Sequence, residues 1–205
     1  MLLTLAESLL SIFLLSLIPF LVYTIKNKTV KGFFSYIGIK KSNHKSNFIA
    51  SSLSLLLFFP FLILVLTNTE FKDLMFDPTT KTGQFRLMGF GLESSIILII
   101  TAVLNTSLAE EIFFRGFIAK RLINMMGFKI GNLIQASIFA IVHSILFFTI
   151  TEDIILLLVV TLIPFTVAYF IPFVNEKLAN GSIIPGWIAH GLANILSFSI
   201  IGFMI

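Results

Sequence analysis

Ser94–Ala119 reads SSIILIITAVLNTSLAEEIFFRGFIA. Coiled as a helix, this stretch extends about 39 Å, enough to cross a hydrocarbon core of about 30 Å. Near its C-terminal end it carries Glu110, Glu111 and Arg115. An ionisable group inside an apolar span is costly and is retained by default for function. The stretch therefore reads as a membrane helix with chemistry built into it.

The surrounding composition agrees. Of 205 residues, 57% are hydrophobic and 12% charged, with a mean hydropathy of +1.03. A soluble domain carries about 25% charged residues, so this chain has too few polar groups to cover a water-facing surface. A soluble enzyme, a disordered chain and a nucleic-acid partner are excluded on that ground. With no Cys, disulfides, thiolate-bound zinc and a cysteine nucleophile are excluded as well. The expected fold class is all-α, a polytopic transmembrane helix bundle of about six spans. These fall near Leu2–Ile25, Phe48–Leu66, Ser94–Ala119, Asn132–Ile150, Ile154–Phe173 and Gly186–Ile205. Residues 1–205 then form a single membrane-embedded domain. Residues 1–92 hold two spans and a basic loop, and 93–205 hold the core that bears the polar residues.

Charge in the loops alternates. Lys26, Lys28, Lys31, Lys40, Lys41 and Lys45 lie between the first two spans, and Lys120, Arg121 and Lys129 between the third and fourth, with no acid in either. The loop after the second span mixes Glu70, Asp73, Asp77 and Glu93 with Lys72, Lys81 and Arg86, and the loop after the fourth holds Glu152 and Asp153. The positive-inside rule places the basic loops in the cytoplasm and both termini outside. The lysine-rich segment is read as a topology-setting loop, because Gly32 and Gly38 weaken any interfacial helix there. Asp77–Gly83 reads as an ordinary loop. Pro164 and Pro172 predict a kink in the fifth span, tolerable if neighbours cover the freed carbonyls.

Few polar residues remain inside the spans. Glu7, near the end of the first, reaches water, and His44 is solvated. Glu111 and Arg115 stand at i and i+4, in the favourable order for an ion pair, which leaves Glu110, about 100° round the helix, free to face elsewhere. His190 and Asn194 are again i and i+4, and His143 lies mid-span, one turn after Phe139. Counted from the predicted cytoplasmic ends, Glu110 lies roughly 13 Å deep, His143 roughly 16 Å, His190 roughly 6 Å and Asn194 roughly 12 Å. One site, fed with water from the cytoplasmic side, would collect all four. A carboxylate withdrawn from bulk water can take a proton from a water molecule, a His can hold that water, and a second His with an amide can donate to an oxyanion. The parts describe hydrolysis by an activated water.

Glu110-Glu111-Ile112-Phe113-Phe114-Arg115 resembles the EExxxR motif of the CPBP (CAAX protease and bacteriocin-processing, or Abi) family of intramembrane proteases. Phe139–His143 resembles its FxxxH motif and His190–Asn194 its HxxxN motif, in the family's order. The resemblance covers residues 110 to 194, and EExxxR is its most specific element. It implies an intramembrane glutamic endopeptidase acting on CAAX-type, peptide or bacteriocin substrates, in the plasma membrane if the host is prokaryotic. It further implies that Glu110 and His143 activate water, that His190 and Asn194 form the oxyanion hole, and that Glu111 and Arg115, with Phe139, support them. A metal-free mechanism is favoured; were zinc used, Glu110, His143 and His190 would be its ligands. The implied partners are membrane lipids and a peptide or membrane-protein substrate. The competing readings are a non-proteolytic bacteriocin-immunity or scaffold protein on the same fold, and a proton-coupled transporter, against which the lack of broken-helix repeats counts.

Overall fold

The computed structural model describes residues 1–205, all of them in helices or connecting turns with no strand. The helices are α1 (Leu2–Asn27), α2 (Phe33–Tyr36), α3 (His44–Thr67), α4 (Thr69–Phe76), α5 (Lys81–Met88), α6 (Leu92–Ile100), α7 (Lys120–Phe148), α8 (Ile154–Phe173) and α9 (Ile184–Leu196). Four π-helical stretches extend them: Thr101–Leu108 and Glu111–Ala119 between α6 and α7, Val174–Leu178 after α8, and Ser197–Met204 after α9. Five of the resulting helical runs are long and apolar enough to cross a membrane.

The third run, Leu92–Phe148, has 57 residues, which is far more than one crossing needs. It reverses at Gly127, whose φ of 77° and ψ of 165° lie outside the helical region. Only glycine adopts such a conformation without strain. After the turn the chain returns so closely that a Cβ on Gly131 would collide with the main chain of Leu122 and Ile123. The run is thus two antiparallel arms, 92–126 and 128–148. With α1, α3, α8 and α9 they account for the six spans.

The bundle is dressed for lipid. Leu9, Phe13, Phe59, Ile63, Ile145, Leu158 and Leu162 are exposed, while Ser54, Ser107, Glu111, Arg115, Asn132, Gln135 and Asn175 are buried. In hydrocarbon, apolar surface gives helices no reason to associate, so interhelical hydrogen bonds and close packing do that work. Pro172 has no N–H and frees the carbonyl of Ala168, four residues earlier. Gln135 Nε2 donates to that carbonyl at 2.5 Å and also to Asn132 Oδ1 at 3.0 Å, and Asn132 Nδ2 donates to the Tyr169 carbonyl at 2.8 Å. The neighbour that the sequence required for Pro172 is the second arm of the hairpin. Replacing Gln135 with Leu should strand the Ala168 carbonyl and cost about 1 kcal/mol, measurable as a lowered thermal midpoint of the full chain in detergent.

Two loop expectations need correction. The loop expected after the second span is a pair of short helices folded into the bundle, and of the Asp77–Gly83 stretch only 77–80 is a turn between them. Asn68 caps α4 by accepting from Phe71 N at 2.8 Å, and Thr80 caps α5 by accepting from Gly83 N at 3.0 Å. Phe71, Leu74 and Met75, at i, i+3 and i+4, pack into one cluster with Val65, Leu156, Val160 and Ile201, and Phe85 stacks on Phe198 at 5.3 Å. Nor is the lysine-rich segment merely a charged tether. Phe33 and Ile37 are buried against Tyr23, Ile112 and Ile183. The Ile37 carbonyl lies where a Cβ on Gly116 would stand, 2.5 Å away. The Gly38 carbonyl accepts from Ile183 N at 2.9 Å, and Arg121 covers the Tyr36 ring at 3.4 Å. Its apolar residues, rather than its lysines, fix it.

Candidate functional site

Glu111 and Arg115 form the buried base of the site. Arg115 Nε stands 3.3 Å from Glu111 Oε1, and both side chains are almost wholly enclosed, at 2% and 1% exposure. The guanidinium also lies over the Phe139 ring at 4.1 Å, so a cation withdrawn from water has a carboxylate on one side and an aromatic face on the other. The pair is the one expected from their i, i+4 spacing.

Glu110, one residue earlier, points differently. Its carboxylate lies 3.9 Å from His190 Nε2, while His190 Nδ1 lies 3.5 Å from Glu111 Oε1. A carboxylate therefore faces each nitrogen of the His190 ring, at separations longer than hydrogen bonds. On the hairpin's second arm, His143 Nδ1 donates to the Phe139 carbonyl at 2.9 Å, which leaves Nε2 with its lone pair. Phe139 holds the group together. Its ring packs on His143 at 4.3 Å, faces His190 edge-on at 6.3 Å, and meets Phe114 at 4.9 Å.

Asn194, one turn after His190, is held by neighbours that sequence reasoning missed. Its Nδ2 donates to Thr106 Oγ1 at 2.8 Å and to Ser107 Oγ at 3.2 Å. Asn175 was missed too: its Oδ1 accepts from Gly186 N at 3.0 Å. A Cβ on Gly186 would run into Glu111 Oε2, and would meet Asn175 Nδ2 and Ile171 Cγ2 at 2.8 Å. Thr106 and Ser107 stand one turn before Glu110 and Glu111, a spacing visible in the sequence. Nothing local flags Asn175. We expect Gly186→Ala to overpack this contact, destabilising the chain by about 1–3 kcal/mol and displacing Glu111 from His190. Thermal unfolding in detergent and the activity of the surviving folded fraction would report the two effects.

Glu110, Arg115, Phe139, His143, His190 and Asn194 line one cavity of about 740 Å³. Its walls are otherwise mostly apolar, with Leu57, Phe58 and Phe61 from α3 and Ile163, Val167 and Ile171 from α8. Beyond the histidines it runs to Met75, to Thr79–Thr82 and to Phe147, Thr149 and Ile150. These lie at the helix ends remote from the lysine-rich segment. Access from the lysine-rich side, expected from helix depth, does not match this lining. No residue of 26–47 or 120–129 borders the cavity, and the buried Phe33–Ile37 cluster fills that side. No three His, Asp or Glu side chains are grouped as the ligands of one metal ion.

Comparison with known families adds an independent observation. The family model described as type II CAAX prenyl endopeptidase Rce1-like matches residues 92–196, just over half of the chain. The chain belongs to that family. The match begins at the first residue of α6 and ends two residues past Asn194, so it contains every residue of the EExxxR, FxxxH and HxxxN motifs. As a member of the Rce1-like family the chain carries the fold of an intramembrane endopeptidase in a multi-pass membrane protein. Residues 1–91, which supply the α3, α4 and α5 walls of the cavity, lie outside the match. No match emerged among curated proteins or solved structures.

Proposed function

We propose that the chain is an intramembrane endopeptidase in which Glu110 and His143 activate a water molecule. The observation that carries this reading is the placement of Glu110 in a largely apolar cavity beside both histidines, while Arg115 is engaged by the neighbouring Glu111. A base that is not paired to the local cation is free to take a proton. In the proposed reaction Glu110 removes a proton from the water, whose oxygen bonds to the scissile carbonyl carbon. The carbonyl oxygen becomes an oxyanion within reach of His190 and Asn194. The C–N bond then breaks and the proton held by Glu110 passes to the leaving amine, giving a carboxylic acid and a free amine. No protein-bound intermediate forms.

The apolar walls suit a hydrophobic substrate segment or a lipidated peptide, the class that the family's description names. With lysine-rich loops in the cytoplasm by the positive-inside rule, the end of the cavity lined by Met75, Thr79–Thr82 and Thr149 faces the opposite half of the membrane. That favours peptides presented from there. The test is cleavage of internally quenched peptides, farnesylated and unmodified, by the purified full chain in detergent. Cleavage is expected to survive chelation; a loss restored by zinc would overturn the metal-free assignment. A chain that cleaves neither peptide and whose biological effect survives loss of Glu110 would be a non-proteolytic immunity or scaffold protein.

A further inference from the structure

Asn175, in the π-helical stretch after α8, is placed to work at both ends of its amide. Its Oδ1 accepts from Gly186 N at 3.0 Å, in the first turn of α9. That turn needs a cap from elsewhere, because Ile183 at its N-cap supplies no side-chain acceptor and Pro185 has no N–H. With Oδ1 engaged there, the donor end of the amide is left for another group. Nδ2 borders the space that a Cβ on Gly186 would take, at 2.8 Å, and Glu111 Oε2 borders the same space. Both atoms are buried and hydrogen-bonded to no other group. Asn175 and Glu111 are each 1% exposed, and neither lines the cavity. Arg115 Nε and His190 Nδ1 stand at the other carboxylate oxygen, Oε1, at 3.3 and 3.5 Å.

From these contacts we infer that Asn175 is a positioning residue. The donor end of its amide holds Glu111 Oε2, so that Oε1 stays turned to Arg115 and His190. Without that donor, Oε2 is a buried acceptor with nothing to meet, which is costly. In surroundings closed to water an amide dipole acts strongly on a carboxylate even where the contact falls short of a hydrogen bond. Gly186 makes the meeting possible, since any side chain there would stand against both groups. Gly186 and His190 are one turn apart on α9. The amide that caps the start of α9 thus also fixes the carboxylate that faces the histidine one turn further along. The positioning rests on packing alone; its kinetic consequence rests on the hydrolytic reading above.

Asn175→Asp separates this role from that of a cap. It keeps an acceptor oxygen for Gly186 N, and its charge suits a helix N-terminus, so a residue that only capped α9 would tolerate it. Facing Glu111, it sets carboxylate against carboxylate. Thermal unfolding of the full chain in detergent should show a lowered midpoint for Asn175→Asp. The swap Asn175→Asp/Glu111→Gln, which restores one amide and one carboxylate, should recover more than half of that loss. Unchanged stability in Asn175→Asp, or a swap no more stable than it, overturns the contact. The second arm labels the His rings with 15N and assigns His190 by the loss of its signals in His190→Gln. Asn175→Ser, which keeps an acceptor oxygen but no amide N–H, should shift the His190 signals in the parent chain and less than half as far when Glu111→Gln is already present. Signals that ignore Asn175→Ser, or move equally in both backgrounds, overturn the positioning whether or not any peptide is cleaved. With the quenched peptides, kcat of folded Asn175→Ser should fall about threefold or more with KM within about twofold, and the same substitution should cost no further kcat in Glu111→Gln. An unchanged kcat in a chain that cleaves overturns the kinetic consequence. A chain that cleaves neither peptide, yet shows the stability coupling and the His190 shift, refutes hydrolysis and keeps the positioning.

Discussion

Glu110→Gln should lower the hydrolysis rate by about 10³-fold or more while leaving folding and KM nearly unchanged, within the range for loss of a general base. Gln keeps the size of Glu and can still approach His190, but it takes no proton from water. The substitution should be mild structurally, because Glu110 lies partly exposed to the cavity, at 25%, and is not the partner of Arg115. The neighbouring residue is the control. Glu111→Gln removes the carboxylate from a pair enclosed to 1% and 2% exposure, so its first effect should be on thermal stability and yield, with only a smaller loss of activity in the folded fraction, from the carboxylate that His190 Nδ1 no longer faces. Two adjacent glutamates, given the same substitution, should thus fail in different ways. Single-turnover cleavage and thermal unfolding in detergent separate them. If Glu110→Gln unfolds the chain, or retains more than a tenth of the parent rate, Glu110 is not the base.

That distinction was legible in the sequence, because helical geometry alone puts Glu111 and Arg115 on one face and Glu110 on another. The spans were legible for a similar reason: apolar runs must be about 20 residues long to cross, and the alternation of basic and acidic loops checks their number. The need to cover the carbonyl freed by Pro172 could also be stated in advance, although that Gln135 would do so could not.

What escaped the sequence was short or non-local. α4 and α5 have eight residues each, too few to be stable alone. They persist because Phe71 and Phe85 insert into the bundle. Their traces in the sequence are slight: the Phe71, Leu74 and Met75 periodicity and the cap residues Asn68 and Thr80. The lysine-rich segment misled in a different way. Gly32 and Gly38 were read as weakening any helix there, whereas the glycine that decides how the segment packs is Gly116, on another helix, whose missing Cβ admits the Ile37 carbonyl. The cavity is lined toward the opposite helix ends, which depth counted along single helices does not reveal, although the site residues meet.

Arg115→Met carries the largest expected effect on stability. The substitution keeps much of the side-chain volume but leaves Glu111 as an uncompensated carboxylate in a site closed to water. Removing one partner of a buried ion pair costs about 3–5 kcal/mol, enough to deplete the folded chain from the membrane. Part of the loss also comes from the Phe139 ring, which forfeits its cation at 4.1 Å and with it some of the packing that positions His143 and His190. The double variant Glu111→Gln/Arg115→Met separates the two contributions. With no buried charge left, its thermal midpoint should recover most of what Arg115→Met alone loses, since a buried pair adds little over a neutral pair of similar shape. Activity should recover less than stability, because His190 would still lack the carboxylate now 3.5 Å from its Nδ1. A double variant as unstable as Arg115→Met would show that the guanidinium is needed for its shape or its hold on Phe139 rather than to neutralise Glu111. Full recovery of both stability and activity would show that Glu111 has no part in setting His190.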